Sequence, residues 1–263
     1  MAGVSPDRNR KLSLRAGRIL GGLMDLICPP RCLLCDQFTT DAEPGERDWC
    51  PECADGFKPL PSSYCAVCGE PFKADLESVH TCAACRKKRP VYDQALAAGM
   101  YEDRLRRAVH ALKYNGRTEL APALAGYMAK HLASPFYPVR ADLILPVPLH
   151  KNRLRMRGFN QALLLARALY PQDRERIRAD VLGRQVDTTP QVRLKGEQRR
   201  KNVRGAFAVS MPEVVRDRSI ILVDDVYTTG ATVNECARVL KKAGAVSVLV
   251  LTLARVSGFG SSG

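Results

Sequence analysis

The sequence predicts an α/β protein with a mostly parallel sheet and flanking helices, preceded by a small cysteine-rich domain. Three features indicate this arrangement. Four CxxC pairs lie before residue 86, strand-like and helical stretches alternate from about residue 91, and one apolar strand leads into two aspartates and a threonine-rich turn. Strands that alternate with helices favour a parallel sheet covered on both faces. The 263 residues suffice for one sizeable α/β domain and a small appendage.

The positive charge of the chain is concentrated in one stretch. The formal net charge is +14, and residues 151–204 hold 15 Lys and Arg against 5 Asp and Glu. A concentrated positive field favours phosphates, on a small ligand or on a nucleic acid, although a solvated basic surface has the same composition. No uncharged apolar run reaches the roughly 18 residues of a membrane span. We therefore expect neither membrane insertion nor a signal peptide, and we place the protein in the cytoplasm.

Residues 12–27 have apolar side chains at helical spacing, with Arg15 and Arg18 on the other face. This pattern predicts an amphipathic helix. Packing against the body of the protein is the simpler role for its apolar face. Contact with a membrane or with a partner protein is the alternative.

The cysteines have the spacing of metal ligands. Nine of the ten cysteines precede residue 86, and eight of them form CxxC pairs. In a reducing compartment this pattern indicates metal binding rather than disulfides. A CxxC turn presents two thiolates to one ion, and two such turns complete a tetrahedral zinc shell with no open position for catalysis. Taken in chain order, the first set is Cys32, Cys35, Cys50 and Cys53, and the second is Cys65, Cys68, Cys82 and Cys85.

The two sets have similar spacing and therefore predict an internal repeat of a zinc-ribbon unit, whose folding depends on the metal. Interleaved pairing of the two sets stays open. His80 lies close to Cys82 in the sequence and is either a substitute ligand or a plain surface histidine. A redox-active CxxC fits less well, because no βαβ pattern surrounds any pair. Cys28 is expected to be a spare thiol and Cys236 a packed core residue.

The second domain is expected to begin at about residue 91. Strands are predicted at residues 94–101, 141–146, 219–223 and 246–253, and helices at residues 102–114, 119–132, 159–170 and 231–243. Asn115-Gly116 ends the first of these helices and Gly244 the last, as residues at helix C-termini commonly do. In a sheet of this kind, ligands bind at the carboxyl ends of the strands.

One strand end carries the main motif. The apolar residues 220–223 lead into Asp224-Asp225 and then into a Thr-Thr-Gly-Ala-Thr turn that opens a helix. A helix start offers free N–H groups to a phosphate, Gly230 permits close approach of the backbone, and the threonines add hydroxyl donors. Adjacent carboxylates repel each other unless they meet hydroxyl donors or a metal, and a ribose diol with Mg²⁺ on a pyrophosphate supplies both. A capped helix with two solvated aspartates is the alternative, which the full order of the motif disfavours.

This motif resembles that of type I phosphoribosyltransferases. The strings LKYNG from residue 112, PVPLHKNRLRMRGFNQA from residue 146, TPQ from residue 189 and RRKNVRGAF from residue 199 are similar to those of the competence protein F (ComF) family. Members of that family join a double zinc ribbon to a type I phosphoribosyltransferase-like domain. The resemblance covers all but the extreme N-terminus and the Gly/Ser tail after Val256. It implies binding of phosphoribosyl pyrophosphate with Mg²⁺, and a role in DNA uptake during natural transformation.

By this resemblance, Asp224 and Asp225 hold the ribose hydroxyls, and the turn at residues 228–232 holds the 5-phosphate. The strand end after residue 146 carries the pyrophosphate loop, and its arginines at alternate positions suit an anion. Residues 187–205 are expected to form either a loop that closes over the ligand or a disordered surface loop. The ligand-binding residues implied are Asp224, Asp225, Thr228, Thr229, Gly230, Ala231, Thr232, Val147, Pro148, Arg153, Arg155, Arg157 and Lys113.

Three functions stay open at this point. The first, which we favour, is transfer of a phosphoribosyl group to an unidentified acceptor; no general base is evident beyond His150. The second is an accessory role in binding single-stranded DNA and DNA-uptake proteins, although aromatic residues are only 6% of the chain. The third is a sugar-phosphate sensor without turnover. Candidates to stabilise the leaving pyrophosphate are Arg153, Arg155, Arg157, Lys113 and Arg199.

The sequence therefore predicts four segments. An amphipathic helix occupies residues 1–27, a double zinc ribbon residues 28–90, and a phosphoribosyltransferase-like domain residues 91–256. Residues 257–263 are expected to be a disordered tail, because they are rich in Gly and Ser.

Overall fold

The computed structural model describes residues 25, 27–39, 47–72, 80–132, 141–187 and 196–257. The helix predicted at residues 12–27 and the predicted tail lie almost wholly outside these ranges, as do residues 188–195 of the basic segment. The chain forms two compact units, Met1–Gly56 and Phe57–Gly263, so the second cysteine set belongs to the unit that contains the sheet. In the described ranges, no helix combines the length and the apolar character that crossing a bilayer requires.

The first unit contains one cysteine set on two turns. Residues 31–38 form a tight turn in which Cys32 N–H donates to Gln37 O and Asp36 N–H donates to Cys32 O. Asp36 takes a positive φ of 62° there. The second turn is followed by the short helix α1, Pro51–Asp55, which begins directly after Cys50. Proline suits this first helical position because no N–H is needed there.

The second unit is built on a four-stranded parallel sheet in the order β1-β6-β5-β2. Its strands are β1 Gln94–Met100, β2 Leu143–Pro146, β5 Ser219–Tyr227 and β6 Ser247–Arg255. A separate antiparallel pair joins β3, Leu182–Arg184, to β4, Phe207–Val209. The predicted fold class, a mostly parallel sheet with flanking helices, is thus confirmed.

Helices connect these strands and cover the sheet. They are α2 Ala83–Lys87, α3 Asp103–Tyr114, α4 Leu120–His131, α5 Lys151–Arg157, α6 Gln161–Leu169, α7 Gly196–Val203, α8 Pro212–Val215 and α9 Ala231–Lys242. Successive side chains of a strand point to opposite faces. Ile220 and Leu222 accordingly share one core with Cys236 and Leu240 of α9, and Ile221 is buried on the other face. This confirms that Cys236 is a packed core residue.

The structure differs from the prediction in four places. β5 does not end at residue 223 but continues to Tyr227, because Asp224 and Tyr227 still pair with Thr252 and Arg255 of β6. The arginines after residue 152 lie on a short helix, α5, and the basic segment contains the helix α7. The β3–β4 pair was not predicted, since three-residue strands are too short to show a periodic pattern.

The second ribbon, which carries the second cysteine set, covers the outer edge of β1 together with the residues just before it. Ala98 O accepts from Leu60 N–H, Met100 N–H donates to Lys58 O, and Ala95 N–H donates to Val67 O. At Gly69, a Cβ atom would lie 2.8 Å from Ala95 O, so only glycine allows the ribbon to approach the strand this closely. The ribbon therefore satisfies polar groups that an edge strand would otherwise leave unpaired.

Candidate functional site

An acidic pair lies at the carboxyl end of β5, next to one buried lysine. Asp225 is 3% exposed, and its Oδ2 lies 2.7 Å from Lys113 Nζ at the end of α3. That enclosed oxygen makes an ion pair but has no hydrogen bond of good geometry in the described ranges. Asp224 is half-buried, and its Oδ1 accepts from Asp225 N–H at 2.9 Å. The structure thus brings three of the predicted ligand-binding residues together.

The two carboxylates differ in their electrostatic surroundings. Burial and the charge of Asp225 raise the pKa of Asp224 to about 8, against the opposing effect of Lys113. Burial alone would lower the pKa of Lys113, but the charge of Asp225 and contact with it reverse this, and the pKa is raised. Lys113 therefore stays charged and compensates one carboxylate, while Asp224 titrates close to neutral pH.

Residues 228–232, which we call the phosphate loop, follow β5 and open α9. Gly230 is the N-cap of α9 and has φ +71°, a conformation that glycine adopts without strain. A Cβ atom at Gly230 would lie 2.2 Å from the Tyr227 hydroxyl, so this position also requires a residue without a side chain. Thr229 is exposed, and Thr228 and Thr232 are half-buried, whereas Gly230 and Ala231 are buried. The loop thus presents backbone N–H groups and hydroxyls at a helix start, where anions bind.

The end of the neighbouring strand β2 leads into the second predicted loop. Val147 is buried, its N–H donates to Val223 O, and its carbonyl accepts from Asn160 Nδ2 at 3.1 Å. Pro148 is also buried. Because both residues are fixed beside β5, the chain that follows leaves the sheet next to the acidic pair.

Asp187 holds the start of α5. Its carboxylate accepts from Asn152 Nδ2 at 2.8 Å and lies 3.3 Å from His150 Nδ1 and 3.9 Å from Arg153 Nε. The hydrogen bond from Asn152, together with the charge of Arg153, holds the pKa of Asp187 below its usual value. Asp187 was not predicted as a site residue, and its only signal in the sequence is its position at the start of the basic segment.

The remaining arginines have different surroundings. Arg157 lies over the ring of Tyr114, 5.4 Å from the ring centroid, and its Nη1 donates to Gln161. Arg155 is exposed, and the described contacts of the acidic pair do not include it. Arg184 on β3 was missed; burial and the charge of Arg153 lower its pKa, and Asp224 opposes this. The side chain of Arg199 lies outside the described ranges.

The cysteines form two clusters in chain order. The sulfur atoms of each cluster lie within 4.8 Å of one another, with Cys35 and Cys50 at 3.5 Å and Cys68 and Cys82 at 3.8 Å. Tetrahedral zinc with Zn–S distances of about 2.3 Å places its sulfurs about 3.8 Å apart. Both sets therefore fit zinc, and the interleaved pairing is excluded. The members are Cys32, Cys35, Cys50 and Cys53 in one cluster, and Cys65, Cys68, Cys82 and Cys85 in the other.

The other candidates stay outside these clusters. His80 is exposed and packs edge-on against Phe72, with ring centroids 6.3 Å apart. Each cluster already supplies four sulfurs without it. Cys28 is exposed and belongs to neither cluster. Backbone groups complete the environment of the second cluster, for example Cys82 N–H, which donates to Cys65 Sγ at 3.3 Å.

Comparisons with known proteins agree with this division. Residues 23–90 match the family model of a double zinc ribbon domain, and residues 162–258 match that of a phosphoribosyl transferase domain. The chain is 32% identical to competence protein ComFC of Bacillus subtilis, with 89% of this chain and 97% of that protein covered. It is 32% identical to competence protein F of Haemophilus influenzae, with coverage of 86% and 96%.

The chain is also similar to a further bacterial protein and to one solved structure. The DNA utilization protein YhgH of Escherichia coli O6:H1 is 32% identical, with 73% of this chain and 89% of that protein covered. Among solved structures, a glutamine phosphoribosylpyrophosphate amidotransferase from B. subtilis shares 20% identity at a TM-score of 0.35. That likeness covers 52% of this chain and 26% of the solved one.

Fold, cysteine clusters and family models define a double-zinc-ribbon protein with a phosphoribosyltransferase domain. Within that class, the chain belongs to the competence protein F (ComF) family, because it is about one third identical to named members over most of its length.

The two clusters predict a zinc content that a single thiol can change. We expect two zinc ions per chain in the purified protein, and one in Cys35→Ser, because three thiolates hold zinc more weakly than four. Cys28→Ser is the matched control and should retain two, since Cys28 lies outside both clusters. Zinc per chain is measured by elemental analysis. One zinc in the wild type, or loss of both from Cys35→Ser, would contradict two separate sites.

Proposed function

We propose that the chain binds phosphoribosyl pyrophosphate with Mg²⁺ at the carboxyl ends of β2 and β5. Asp224 and Asp225 accept hydrogen bonds from the ribose hydroxyls, and the phosphate loop holds the 5-phosphate. The other residues assigned to the ligand are Val147 and Pro148 after β2, Arg153, Arg155 and Arg157 on α5, and Lys113 on α3. Mg²⁺ supplies charge compensation on the pyrophosphate, and carboxylate oxygens of the acidic pair are the hard ligands that it prefers.

The observation that carries this proposal is the order of groups along β5 and α9. Two carboxylates, of which Asp225 is paired with Lys113 and Asp224 is half-buried, are followed by a glycine-capped helix start. The first feature suits a diol and the second suits a phosphate, and a 5-phosphorylated ribose has both.

The reaction that fits this ligand is transfer of the phosphoribosyl group. The bond from C1 to the pyrophosphate oxygen breaks, and pyrophosphate leaves with the electron pair. A nucleophile of the acceptor forms the new bond to C1 and loses its proton. Positive charge develops on the sugar near the acidic pair, and negative charge on the leaving group is stabilised by Arg153 and its neighbours on α5. A sensor that binds without turnover uses the same contacts.

The biological setting follows from the relatives. Two of them are named competence proteins and another a DNA utilization protein. We propose that this chain likewise acts in DNA uptake, together with DNA or DNA-uptake proteins.

Ligand binding tests the proposal. At pH 9, where Asp224 is ionised, wild-type protein should bind phosphoribosyl pyrophosphate in the presence of Mg²⁺, and Asp224→Asn should weaken binding by about tenfold, because hydrogen bonds to a charged acceptor are worth about 1.5–3 kcal/mol. Asp224 is the better target, since replacing Asp225 leaves the buried Lys113 without its partner. Asp180→Asn is the control, an exposed aspartate paired with Arg178. Titration calorimetry measures all three; no binding to folded wild type would refute the proposal.

The pKa of Asp224 predicts a pH dependence of this binding. Below a pKa of about 8, Asp224 is protonated and accepts hydrogen bonds from a diol less well. The affinity should therefore rise about tenfold from pH 7 to pH 9, a range in which phosphate groups, with pKa near 6, are already ionised. The dissociation constant is measured at steps of half a pH unit. A flat profile in the wild type, or an equal rise in Asp224→Asn, would contradict this assignment.

A second candidate function, binding of single-stranded DNA, rests on one exposed group of side chains. Tyr114 is 58% exposed, its ring lies beside that of His110 with centroids 4.6 Å apart and planes tilted by 45°, and Arg157 lies over it at 5.4 Å. Leu154 and Met156 of α5 are exposed beside Arg155. Stacking of a base on an aromatic ring, flanked by arginines that reach phosphates, is how proteins bind single strands.

Tyr114→Leu tests this second function. It should weaken binding of a fluorescent oligothymidine by about tenfold, since one stacked base contributes about 1–3 kcal/mol. Phe38→Leu is the comparison, because Phe38 is also exposed and lies under Arg31 at 4.2 Å. Arg157→Gln should lower the slope of log affinity against log salt by about one. Unchanged affinity in Tyr114→Leu would remove this surface from consideration, and a loss confined to Phe38→Leu would assign the binding to the first ribbon.

A further inference from the structure

Arg255, the last residue of β6, is a buried cation that contacts the second cysteine cluster. It is 4% exposed. Its Nη1 donates to the carbonyl of Cys68, its Nε donates to Glu70 at 3.1 Å, and its Nη2 lies 3.9 Å from Cys68 Sγ. Nη2 also forms a close ion pair with Glu70. Three nitrogens of one guanidinium are therefore directed at the turn that carries Cys68.

A nearby cation stabilises a zinc-loaded cluster of four thiolates. Four thiolates and one Zn²⁺ leave roughly two negative charges in a site that is mostly buried. Groups that donate to zinc-bound sulfur or hold the ligand backbone stabilise the metal and fix its geometry. Arg255 has the charge and the fork of donors for both tasks, and it lies on the sheet rather than on the ribbon.

The other face of Arg255 contacts the residue that precedes the phosphate loop. The guanidinium carbon lies 4.2 Å from the ring centroid of Tyr227, and Val256 N–H donates to Tyr227 O. The hydroxyl of Tyr227 is 2.6 Å from that of the buried Tyr92. The same hydroxyl lies directly against Gly230, where a Cβ atom would come within 2.2 Å. The position of the Tyr227 ring thus fixes the space available to the phosphate loop.

We propose that Arg255 is a positioning residue that couples the second zinc cluster to the phosphate loop through Tyr227. The proposal rests on the assignment of residues 228–232 to the 5-phosphate. Zinc holds Cys68 and its turn in place, the turn holds the Arg255 guanidinium, and the guanidinium holds the Tyr227 ring against Gly230. Closely packed groups transmit a displacement, since interiors have few voids to absorb it. Loss of zinc from this cluster then loosens the loop, and a ligand on the loop in turn retains the zinc.

Two variants separate this coupling from a local packing defect. Arg255→Met removes the charge and the donors but keeps an apolar chain of similar length. Glu70→Gln is the milder change: it weakens the hold on Arg255 from the ribbon side and leaves every residue assigned to the ligand untouched. The matched controls are Arg178→Met, a partly exposed arginine paired with Asp180, and Glu213→Gln at the exposed start of α8.

Each protein is measured in two ways. The rate of zinc release to a colorimetric chelator is recorded with and without phosphoribosyl pyrophosphate, and the dissociation constant of that ligand with Mg²⁺ is determined by calorimetry. Circular dichroism confirms that each variant is folded. We expect Arg255→Met to release one of its two zinc ions about tenfold faster than wild type, in line with other neighbours of zinc ligands. We also expect both variants to bind the ligand about tenfold more weakly, and the ligand to slow zinc release in wild type but less in the variants.

The outcomes distinguish the two proposals. Variants that lose zinc faster but bind the ligand as tightly as wild type would overturn the coupling and leave Arg255 with a role at the cluster alone. Should Arg255→Met not fold, an unchanged ligand affinity in the folded Glu70→Gln would overturn it equally. If wild type itself binds no ligand, the proposed function fails, and the coupling fails with it whatever the zinc rates show.

Discussion

The ion pair between Lys113 and Asp225 is the interaction on which the candidate site depends. Two adjacent carboxylates at the end of a buried strand repel each other and are costly to desolvate. Lys113, 2.7 Å from Asp225 and itself largely buried, compensates one of them. That requirement fixes the carboxyl end of α3 against the end of β5, because loss of either partner would leave an unpaired buried charge. It also leaves Asp224 as the carboxylate whose charge responds to pH and ligand.

A second constraint acts at the edge of the sheet that β1 forms. β1 is an edge strand, and the second ribbon covers it through backbone hydrogen bonds at Ala95, Ala98 and Met100. A ribbon of this size buries too little apolar surface to fold without its metal. Zinc therefore contributes to the sheet as well as to the ribbon, since the metal holds the turn that packs on β1. This explains why the second cysteine set belongs to the same compact unit as the sheet.

The sequence predicted the parts of the fold that have a strong local pattern. The apolar strands, the helices around Leu112 and Leu240, the two cysteine sets and the glycine-capped helix start were all visible from periodicity and spacing. The predicted strand ended before Asp224, because aspartate is depleted in strands. In the structure Asp224 remains part of β5, where it pairs with Thr252 of β6. Arg255 was missed for a similar reason. A charged residue at the end of an apolar strand has no local partner, and Glu70 lies 185 residues away in the chain.

The candidate site has an acidic half and a basic half, and each contains one residue of the opposite charge. Lys113 lies on the acidic side at Asp225, and Asp187 lies on the basic side at His150 and Arg153. These partners differ in burial: the side chain of Lys113 is 18% exposed, whereas that of Asp187 is 42% exposed. A buried partner is retained because its removal costs several kcal/mol, while an exposed ion pair contributes about 1 kcal/mol or less and exchanges readily. In the proposed complex, Lys113 thus stays as a fixed counter-charge, and a pyrophosphate replaces Asp187 at Arg153. In that proposed complex, the acidic half holds the sugar with its counter-charge already in place, and the basic half exchanges its carboxylate for the anion.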